Sequence, residues 1–410
     1  MTDSIAVVGG GLAGLAAATW LARAGATVSL FEGSAALGGR ATTQEAGGVL
    51  LNQGPHALYR GGAAMAALRD LGLKPAGRRP PSAAFGLRGD LDEPLPAGPL
   101  SFWTSPLLEG TDRLRFGSLM ARACATPNAA AGTSLGHWLA DRDAPPAVAD
   151  LVRASVRVAT YCADDGVDAG AAFTQLASAL RNGVLYLDGG WQQLVDGLQE
   201  QALDAGVRIH TGARVRRLDG LRLVGPDAAF DRVVLAVPLP AAARLLPDHA
   251  ALQAEAAQAV PTRAACLDLG LSQLPVPDMA LRLGIDEPWY VSIHSGHAEL
   301  GGPMLHVARY LAPAEDRPPA GIRAELEALA DRLQPGWREF AVAQRFGVMP
   351  VQSASVQAPR GLAGRPRTDF LGLPGVAVCG DWVGPEGLLL DGVLASARQA
   401  VAETLARRAA

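Results

Sequence analysis

A glycine-rich turn directly after a short β-branched segment constrains the fold of this chain more than any other feature of its sequence. Residues 5–8 read as a strand that is buried on both faces, and the turn at 9–14 follows it with the pattern G-x-G-x-x-G. The Ala-rich stretch 15–24 then reads as a helix, and 27–31 as a second strand that ends at Glu32. This order is typical of a dinucleotide-binding βαβ unit, which predicts an α/β fold with a parallel sheet.

The residues of this unit have separate chemical tasks. Gly9 permits the tight turn, Gly11 lets the backbone approach a pyrophosphate, and Gly14 lets the helix pack closely on the strand. The helix N-terminus offers free N–H groups and the positive end of its dipole to the phosphates. Glu32 can accept hydrogen bonds from both ribose hydroxyls, and its charge would repel a 2′-phosphate.

Composition and charge exclude several classes of protein. The chain has 410 residues, of which 49% are hydrophobic and 19% are charged, so it has the composition of a soluble globular protein with a substantial core. The formal net charge of −4 is spread without long runs of one sign, so we expect no nucleic-acid partner. The apolar stretches are too short or too broken by proline for a signal peptide or an integral membrane segment, and we expect a cytoplasmic location.

The cysteines give no sign of a metal or redox site. The four cysteines are far apart, and none stands in a C-x-x-C pair. We therefore expect no metal site, and scattered thiols of this kind suit a reducing compartment.

A second glycine pair narrows the choice of dinucleotide. Gly38, Gly39 and Arg40 follow the second strand, where a nicotinamide-dependent dehydrogenase would ordinarily continue into another helix, and Arg40 could bind a phosphate through two nitrogens. The segment 53–56, Gln-Gly-Pro-His, comes shortly after. This arrangement resembles the flavin-binding start of the family that includes monoamine oxidases, phytoene desaturases and protoporphyrinogen oxidase. The resemblance implies FAD, with the first element on its pyrophosphate and ribityl chain and the second beneath its ring.

Two distant segments resemble the same family. In the middle segment of relatives, a valine near the position of Val215 pairs with adenine through its backbone. In the C-terminal segment of relatives, the aspartate that matches Asp381 binds the ribityl chain, and the following helix points its N-terminus at the flavin. The residues that the resemblance assigns to the cofactor are Gly9, Gly11, Leu12, Ala13, Gly14, Glu32, Gly33, Gly39, Arg40, Gln53, Gly54, Pro55, Val215, Gly380, Asp381, Gly392 and Val393.

The resemblance also implies a division of the chain. We expect a Rossmann-like FAD-binding domain of the glutathione-reductase type that comprises residues 1–75, 189–264 and 356–410. Residues 76–188 and 265–355 would form an inserted α+β substrate-binding domain. Its first part begins rich in proline and continues with helical periodicity, and its second part reads as strands and turns.

One apolar segment, residues 100–119, allows two interpretations. Its aromatic and leucine side chains could contact a membrane surface peripherally, or it could be a helix that covers the substrate cavity. We favour the second.

The absence of certain residues narrows the expected reaction. A second G-x-G-x-x-G after a later strand is missing, so oxygen, a quinone or another acceptor would reoxidise the flavin. Many amine oxidases of the family place a lysine over the flavin, but the only lysine here is Lys74, and their pair of tyrosines is not legible. These departures favour a desaturase-like or dehydrogenase-like enzyme that oxidises a small, mostly apolar metabolite by hydride transfer to flavin N5. Covalently flavinylated amine oxidases of the family carry a cysteine in the C-terminal flavin loop, whereas Cys379 here precedes the Gly-Asp turn, so we expect non-covalently bound FAD. The alternatives are a flavin amine or amino-acid oxidase that produces an imine and hydrogen peroxide, and a binding protein without catalysis.

Three side chains are candidates for the cavity wall and for proton transfer. His56 could be a base, or a structural histidine hydrogen-bonded within its turn. Tyr290 and His294 are four residues apart in an expected strand and so share a face, which could equally belong to an ordinary core.

Overall fold

The computed structural model describes residues 3–81, 83–296 and 298–406. In chain order its strands are β1 Ser4–Val8, β2 Thr27–Phe31, β3 Thr43–Ala46, β4 Val49–Asn52, β5 Leu58–Tyr59, β6 Gly77–Arg78, β7 Ala84–Arg88, β8 Leu91–Pro94, β9 Val184–Leu187, β10 Arg208–His210, β11 Arg217–Asp219, β12 Arg222–Val224, β13 Ala228–Ala229, β14 Arg232–Leu235, β15 Thr262–Leu271, β16 Leu281–Gly284, β17 Trp289–Ile293, β18 Met304–Leu311, β19 Ala341–Gln352 and β20 Val376–Val378. Its α-helices are α1 Leu12–Arg23, α2 Ala63–Asp70, α3 Pro99–Thr104, α4 Gly110–Ala125, α5 Leu135–Ala140, α6 Pro146–Thr160, α7 Ala169–Asn182, α8 Gln192–Asp204, α9 Leu239–Leu245, α10 Ala250–Gln258, α11 Pro319–Leu333 and α12 Leu389–Ala406.

A parallel sheet of five strands in the order β10-β2-β1-β14-β20 forms one layer. Helices α1, α8 and α12 cover one face, and α9, α10 and the small sheet β11-β12-β13 lie over the other. Both faces are buried, which explains the continuous apolar runs in β1 and β14. The strand, glycine turn and helix predicted at the N-terminus are therefore observed.

A second sheet has seven strands in the order β19-β15-β18-β17-β16-β7-β8, mostly antiparallel. The apolar residues on one of its faces pack against α11. The opposite face carries Ala264, Cys266, Tyr290, Ala308 and Tyr310. That face lies toward the parallel sheet and supplies part of the wall of the cavity between the two layers.

The helices α4 to α7 pack around a separate apolar core. Helix α5 begins where the side chain of Ser134 accepts a hydrogen bond from the His137 amide, and α6 ends at Tyr161, whose φ of 62° is left-handed. In the apolar segment 100–119, Leu100 and Trp103 are 76% and 62% exposed. Across the part of the chain that the structure describes, every helix is too short or too polar to cross a membrane.

Candidate active site

A cavity of about 490 Å³ lies between the two sheets. Four of its lining segments follow the carboxyl ends of β1, β2, β14 and β20, which is the edge where open parallel sheets bind ligands. The predicted residues that line it are Gly9, Gly11, Leu12, Ala13, Glu32, Gly39, Arg40, Gln53, Pro55, His56, Gly380, Asp381 and Val393. Turns from both ends of the chain thus meet at one cavity.

The glycine turn after β1 contains two kinds of glycine. A Cβ on Gly14 would lie 1.8 Å from the Gly9 carbonyl oxygen, and a Cβ on Gly9 would lie 2.4 Å from the Ala236 oxygen. Both residues must therefore be glycine for the protein to pack. A Cβ on Gly11 would meet nothing closer than the Gly38 oxygen at 4.0 Å, so the protein itself leaves that space open.

The two glycine turns lie side by side in direct contact at the edge of the cavity. The Gly38 amide donates to the Gly10 carbonyl at 2.8 Å, and a Cβ on Gly39 would meet only the Gly11 Cα, at 4.0 Å. No side chain caps the N-terminus of α1, so the first amides of that helix are left for a ligand. An anionic pyrophosphate fits this cradle of backbone N–H groups and open glycine faces.

Glu32 closes one end of the cradle. Its carboxylate accepts hydrogen bonds from the Gly10 and Ser34 amides, each at 2.7 Å. These bonds fix the carboxylate at the cavity wall, and each oxygen keeps a second lone pair. The arrangement fits the predicted contact with ribose hydroxyls.

Arg40 and Asp381 join the N-terminal and C-terminal parts of the site. The Arg40 Nη1 atom lies 2.7 Å from Asp381 Oδ2 and also donates to the Val351 carbonyl at 2.7 Å. Asp381, 2% exposed, accepts further hydrogen bonds from the Ser353 amide and hydroxyl. Among the described residues, no acceptor contacts the Nε or Nη2 atoms of Arg40, so these atoms can bind a phosphate.

Residues 53–56 form another wall. The Gln53 side chain donates to the Gly39 carbonyl at 3.1 Å, and Tyr161 donates to the Pro55 carbonyl at 2.5 Å. The amide of Gly54 points away from the cavity and donates to Asp268 at 3.0 Å. These contacts hold the segment rigidly against the cavity.

His56 lines the cavity, and its imidazole is fixed by one hydrogen bond. Its Nδ1 atom lies 2.9 Å from the Gly54 carbonyl, which can only accept, so Nδ1 carries the hydrogen and Nε2 carries the lone pair. Burial lowers the pKa of His56 below its usual 6.5, so the neutral imidazole prevails at neutral pH. The ring lies 4.9 Å from that of Trp191, which also lines the cavity.

Tyr290 and His294 lie together but do not belong to the described cavity wall. The Tyr290 hydroxyl is 3.5 Å from His294 Nε2 and 3.5 Å from the Tyr186 hydroxyl. The His294 ring stacks on Tyr186 at 3.7 Å, which covers it. The shared face is observed. Ala264 and Cys266 on this face line the cavity, whereas Tyr290 and His294 contact Tyr186 of β9 and are buried.

Five predicted cofactor residues lie behind the lining: Gly14, Gly33, Gly54, Val215 and Gly392. Gly14 and Gly54 support the wall through backbone packing. Gly33 lies beside the Arg214 side chain, Val215 packs against the apolar core beneath the parallel sheet, and Gly392 lies inside α12.

Sequence reasoning missed most of the apolar wall. The lining residues that it did not assign to the site include Leu58, Tyr59, Ala64, Val158, Tyr161, Ala236, Val237, Pro238, Ala264, Cys266, Met349, Pro350, Val351, Leu388, Leu389, Leu390 and Asp391. Apolar side chains on separate elements carry no motif, so nothing in the sequence marks them. No described residue of α3 or α4 is among them, so the interpretation of residues 100–119 as a cavity cover stays a prediction.

Asp391 is the exception that a motif could have revealed, since it stands directly before Gly392, which was assigned to the cofactor. It is 6% exposed and accepts a hydrogen bond at 2.7 Å from the Ala64 amide, at the N-terminus of α2. Burial raises its pKa to about 6. No cation among the described side chains pairs with it.

Fold and cavity together define a dinucleotide-binding α/β protein with an apolar space beside the cofactor cradle. Residues 12–266, more than half of the chain, match the model of the flavin containing amine oxidoreductase family, and the chain belongs to this family. It is an FAD-dependent oxidoreductase, which confirms the family, the cofactor and the enzyme class predicted from the sequence.

Two curated relatives match over short stretches. A carotenoid 3,4-desaturase of Haloarcula japonica is 51% identical over 53 residues, which are 13% of this chain and 11% of the relative. A coproporphyrinogen III oxidase of Propionibacterium freudenreichii is 34% identical over 173 residues, which are 37% of this chain and 32% of the relative. The matches thus span a third of these relatives or less.

Solved structures match over the whole chain. An oxidoreductase from Methanosarcina mazei matches with a TM-score of 0.76 at 21% identity. The match covers 98% of this chain and 100% of the chain of that protein. A putrescine oxidase with bound putrescine matches with a TM-score of 0.75 at 19% identity. The match covers 99% of this chain and 100% of the chain of that protein. At these identities the likeness shows the fold, a mixed α/β structure with a parallel sheet.

Proposed function

We propose that this enzyme is a desaturase or dehydrogenase that removes two hydrogens from a small, mostly apolar metabolite. The observation that carries the proposal is the apolar lining beyond the glycine turns, formed by side chains such as Leu58, Val158 and Leu388. Apolar walls bind an apolar substrate and exclude water from the reacting atoms. The lone lysine, Lys74, is exposed and lies outside this wall.

FAD, when bound, supplies the acceptor for the hydride that leaves the substrate carbon. In our proposal Gly11, Gly39 and the N-terminus of α1 hold its pyrophosphate, Glu32 its ribose, and Arg40 a phosphate. Residues 53–56 and 388–393 would hold its ring. The two layers fit a Rossmann-like FAD domain of the glutathione-reductase type (1–75, 189–264, 356–410) with an inserted α+β substrate domain (76–188, 265–355).

The proton that leaves with the hydride needs an acceptor, and we assign this role to His56 Nε2. The hydrogen bond from Nδ1 to Gly54 fixes the tautomer that can accept it. Tyr290 and His294 would support the shape of the cavity wall through their packing behind it.

A substrate panel tests the proposed reaction. Purified holoenzyme is mixed anaerobically with apolar hydrocarbons that carry an oxidisable C–C single bond, with porphyrinogens, whose carboxylates make them more polar, and with amines. We expect the visible absorbance of the oxidised flavin to bleach with an apolar compound and to stay unchanged with amines. Purified protein that binds no FAD would contradict the cofactor site itself.

One observation favours an amine or amino-acid oxidase as a second candidate. Asp391 is a cavity carboxylate without a cationic partner among the described residues, and an ammonium group could pair with it. Bleaching by amines, with imine formation and release of hydrogen peroxide in air, would select this candidate over the first.

Replacing His56 tests its role as the proton acceptor. Because the neutral imidazole is the active form, kcat/KM of the wild type should rise with pH through a pKa below 6.5. His56→Gln should lower kcat about 10²- to 10⁴-fold and abolish this pH limb. His137→Gln, on an exposed helix, is the control and should behave like the wild type. An unchanged pH profile in His56→Gln would assign the limb to another group.

A further inference from the structure

A row of four polar residues crosses the second sheet directly behind the cavity wall. Arg345, Asp268, His306 and Ser292 stand side by side on the adjacent strands β19, β15, β18 and β17. We call this row the polar rung. Side chains two apart on a strand share a face, so Asp268 lies on the same face as the cavity residues Ala264 and Cys266.

Asp268 is the centre of the polar rung. The side chains of Asp268 and His306 are both 0% exposed, and His306 Nδ1 lies 2.7 Å from Asp268 Oδ1. The other carboxylate oxygen, Oδ2, lies 3.5 Å from Arg345 Nη1 and accepts the Gly54 amide at 3.0 Å. The carboxylate therefore bonds directly to the back of residues 53–56.

Stability alone does not explain this buried charge. A buried ion pair can often be replaced by apolar residues without loss of stability, because removing charges from water costs about as much as their attraction returns. The same strand places Leu267 and Leu269 on the other face, in an ordinary apolar core. A carboxylate held at the back of the cavity wall therefore points to a role in the site.

We propose that Asp268 is a positioning residue that holds residues 53–56 against bound FAD, and that its charge, balanced by Arg345, sets the redox potential of the cofactor. The inference rests on the proposed FAD site. A fixed negative charge near the flavin disfavours the added electrons, and a fixed positive charge favours them. Arg345 also donates to the sulfur of Met349, a cavity residue, at 3.4 Å, so it reaches the same wall.

The sign of the potential shift is the test. Asp268→Asn keeps the shape and an acceptor for Gly54 but removes the negative charge, so the midpoint potential of bound FAD should rise. Arg345→Gln removes the balancing positive charge, so the potential should fall. We expect each shift to correspond to at least a tenfold change in the reduction equilibrium, or about 30 mV for a two-electron couple. Spectroelectrochemical titration of the purified holoenzymes measures both.

Arg309→Gln is the matched control. Arg309 is on β18, the strand of His306, but on the opposite face of the sheet, where it pairs with Glu287 at 2.9 Å and Glu325 at 2.7 Å. This variant should lose stability without a change in potential.

Potentials that stay at the wild-type value in both test variants, or that move in the same direction, would overturn the proposal and leave the polar rung a structural element. If Asp268→Asn does not fold, Arg345→Gln carries the sign test, since the Arg345 side chain is 22% exposed. Wild-type protein that binds no FAD would instead refute the proposed cofactor site, whereas bound FAD with unmoved potentials refutes only this inference.

Discussion

At the scale of single residues, the glycines of one motif have different roles. Gly9 and Gly14 are required by contacts within the protein, because a Cβ on either would overlap a backbone oxygen. Gly11 has no such neighbour, and its φ of −77° suits any residue. The protein therefore leaves the space beside Gly11 open, and this is where we propose that the pyrophosphate binds.

This difference gives a pair of matched substitutions. Gly11→Ala should leave the free energy of unfolding of the apoprotein within about 0.5 kcal/mol of the wild-type value. It should weaken FAD binding at least about tenfold, because the methyl group would occupy the cradle. Gly14→Ala should destabilise the protein by about 1–3 kcal/mol or more, because the methyl group would overlap Gly9. Calorimetry of the apoproteins and FAD titration separate the two effects. Unchanged FAD affinity in Gly11→Ala would place the pyrophosphate elsewhere.

Only part of the candidate site could be predicted from the sequence. Backbone requirements leave a record in glycines, so the cradle around Gly11 and Gly39 could be predicted. The cavity wall could not, because whether Tyr161 or Tyr290 lines it depends on how separate elements pack. We predicted that Arg40 binds a phosphate. Its ion pair with Asp381 could not be predicted, because the two residues are 341 positions apart and only the fold brings them together.

At the scale of elements, two helices meet at one carboxylate. Asp391 lies in the first turn of α12 and binds the Ala64 amide in the first turn of α2. A carboxylate at a helix N-terminus is favourable, but burial outweighs this here and raises the pKa to about 6. The folded junction therefore keeps Asp391 protonated to a higher pH than the unfolded chain does.

Asp391→Asn should remove this pH dependence. The folded-state pKa is raised from 3.8 to about 6, so the stability of the protonated form is fully present below pH 3.8 and is lost as the pH rises through about 6. At pH 8 the variant should be more stable than the wild type, by on the order of 2–3 kcal/mol, and at pH 4 the difference should nearly vanish. Thermal melts across this range measure it.

Asp196→Asn, at an exposed position on α8, is the control for the removal of one carboxylate. A wild-type advantage for Asp391 at pH 8 would mean that its charge stabilises the helix junction.

Elements were predicted more easily than their contacts. The strand predicted at 5–8 and the helix predicted at 15–24 are observed as β1 and α1 with shifted ends. The segment 100–119 spans α3 and the first part of α4, and none of its described residues lines the cavity. Periodicity indicates which face of a helix is apolar, but it does not identify the partner that covers that face.

The whole molecule brings distant parts of the chain to one ligand. The cavity residues come from the N-terminal turn, residues 53–64, β15, β19 and the start of α12. A ligand that contacts all of these should stabilise the fold as a whole. Free FAD at a hundred times its Kd should add about 2.7 kcal/mol to the free energy of unfolding.

FMN is the matched ligand, since it has the flavin but lacks the adenosine half that we assign to Glu32 and the turn after β1. It should raise the melting temperature less than FAD at the same concentration. Equal shifts from FMN and FAD would show that the adenosine half has no site here.

The bond between Arg40 and Asp381 sets an order of events during synthesis. When Arg40 leaves the ribosome, its partner has still to be translated, and so have Ser353 and the whole of α12. The nascent chain can form β1, its glycine turn and α1 early, but in our proposal the grip on a nucleotide closes only after Asp381 has been translated, 341 positions after Arg40. The proposal therefore makes cofactor loading a late step of biogenesis, and products terminated before Asp381 should emerge without colour.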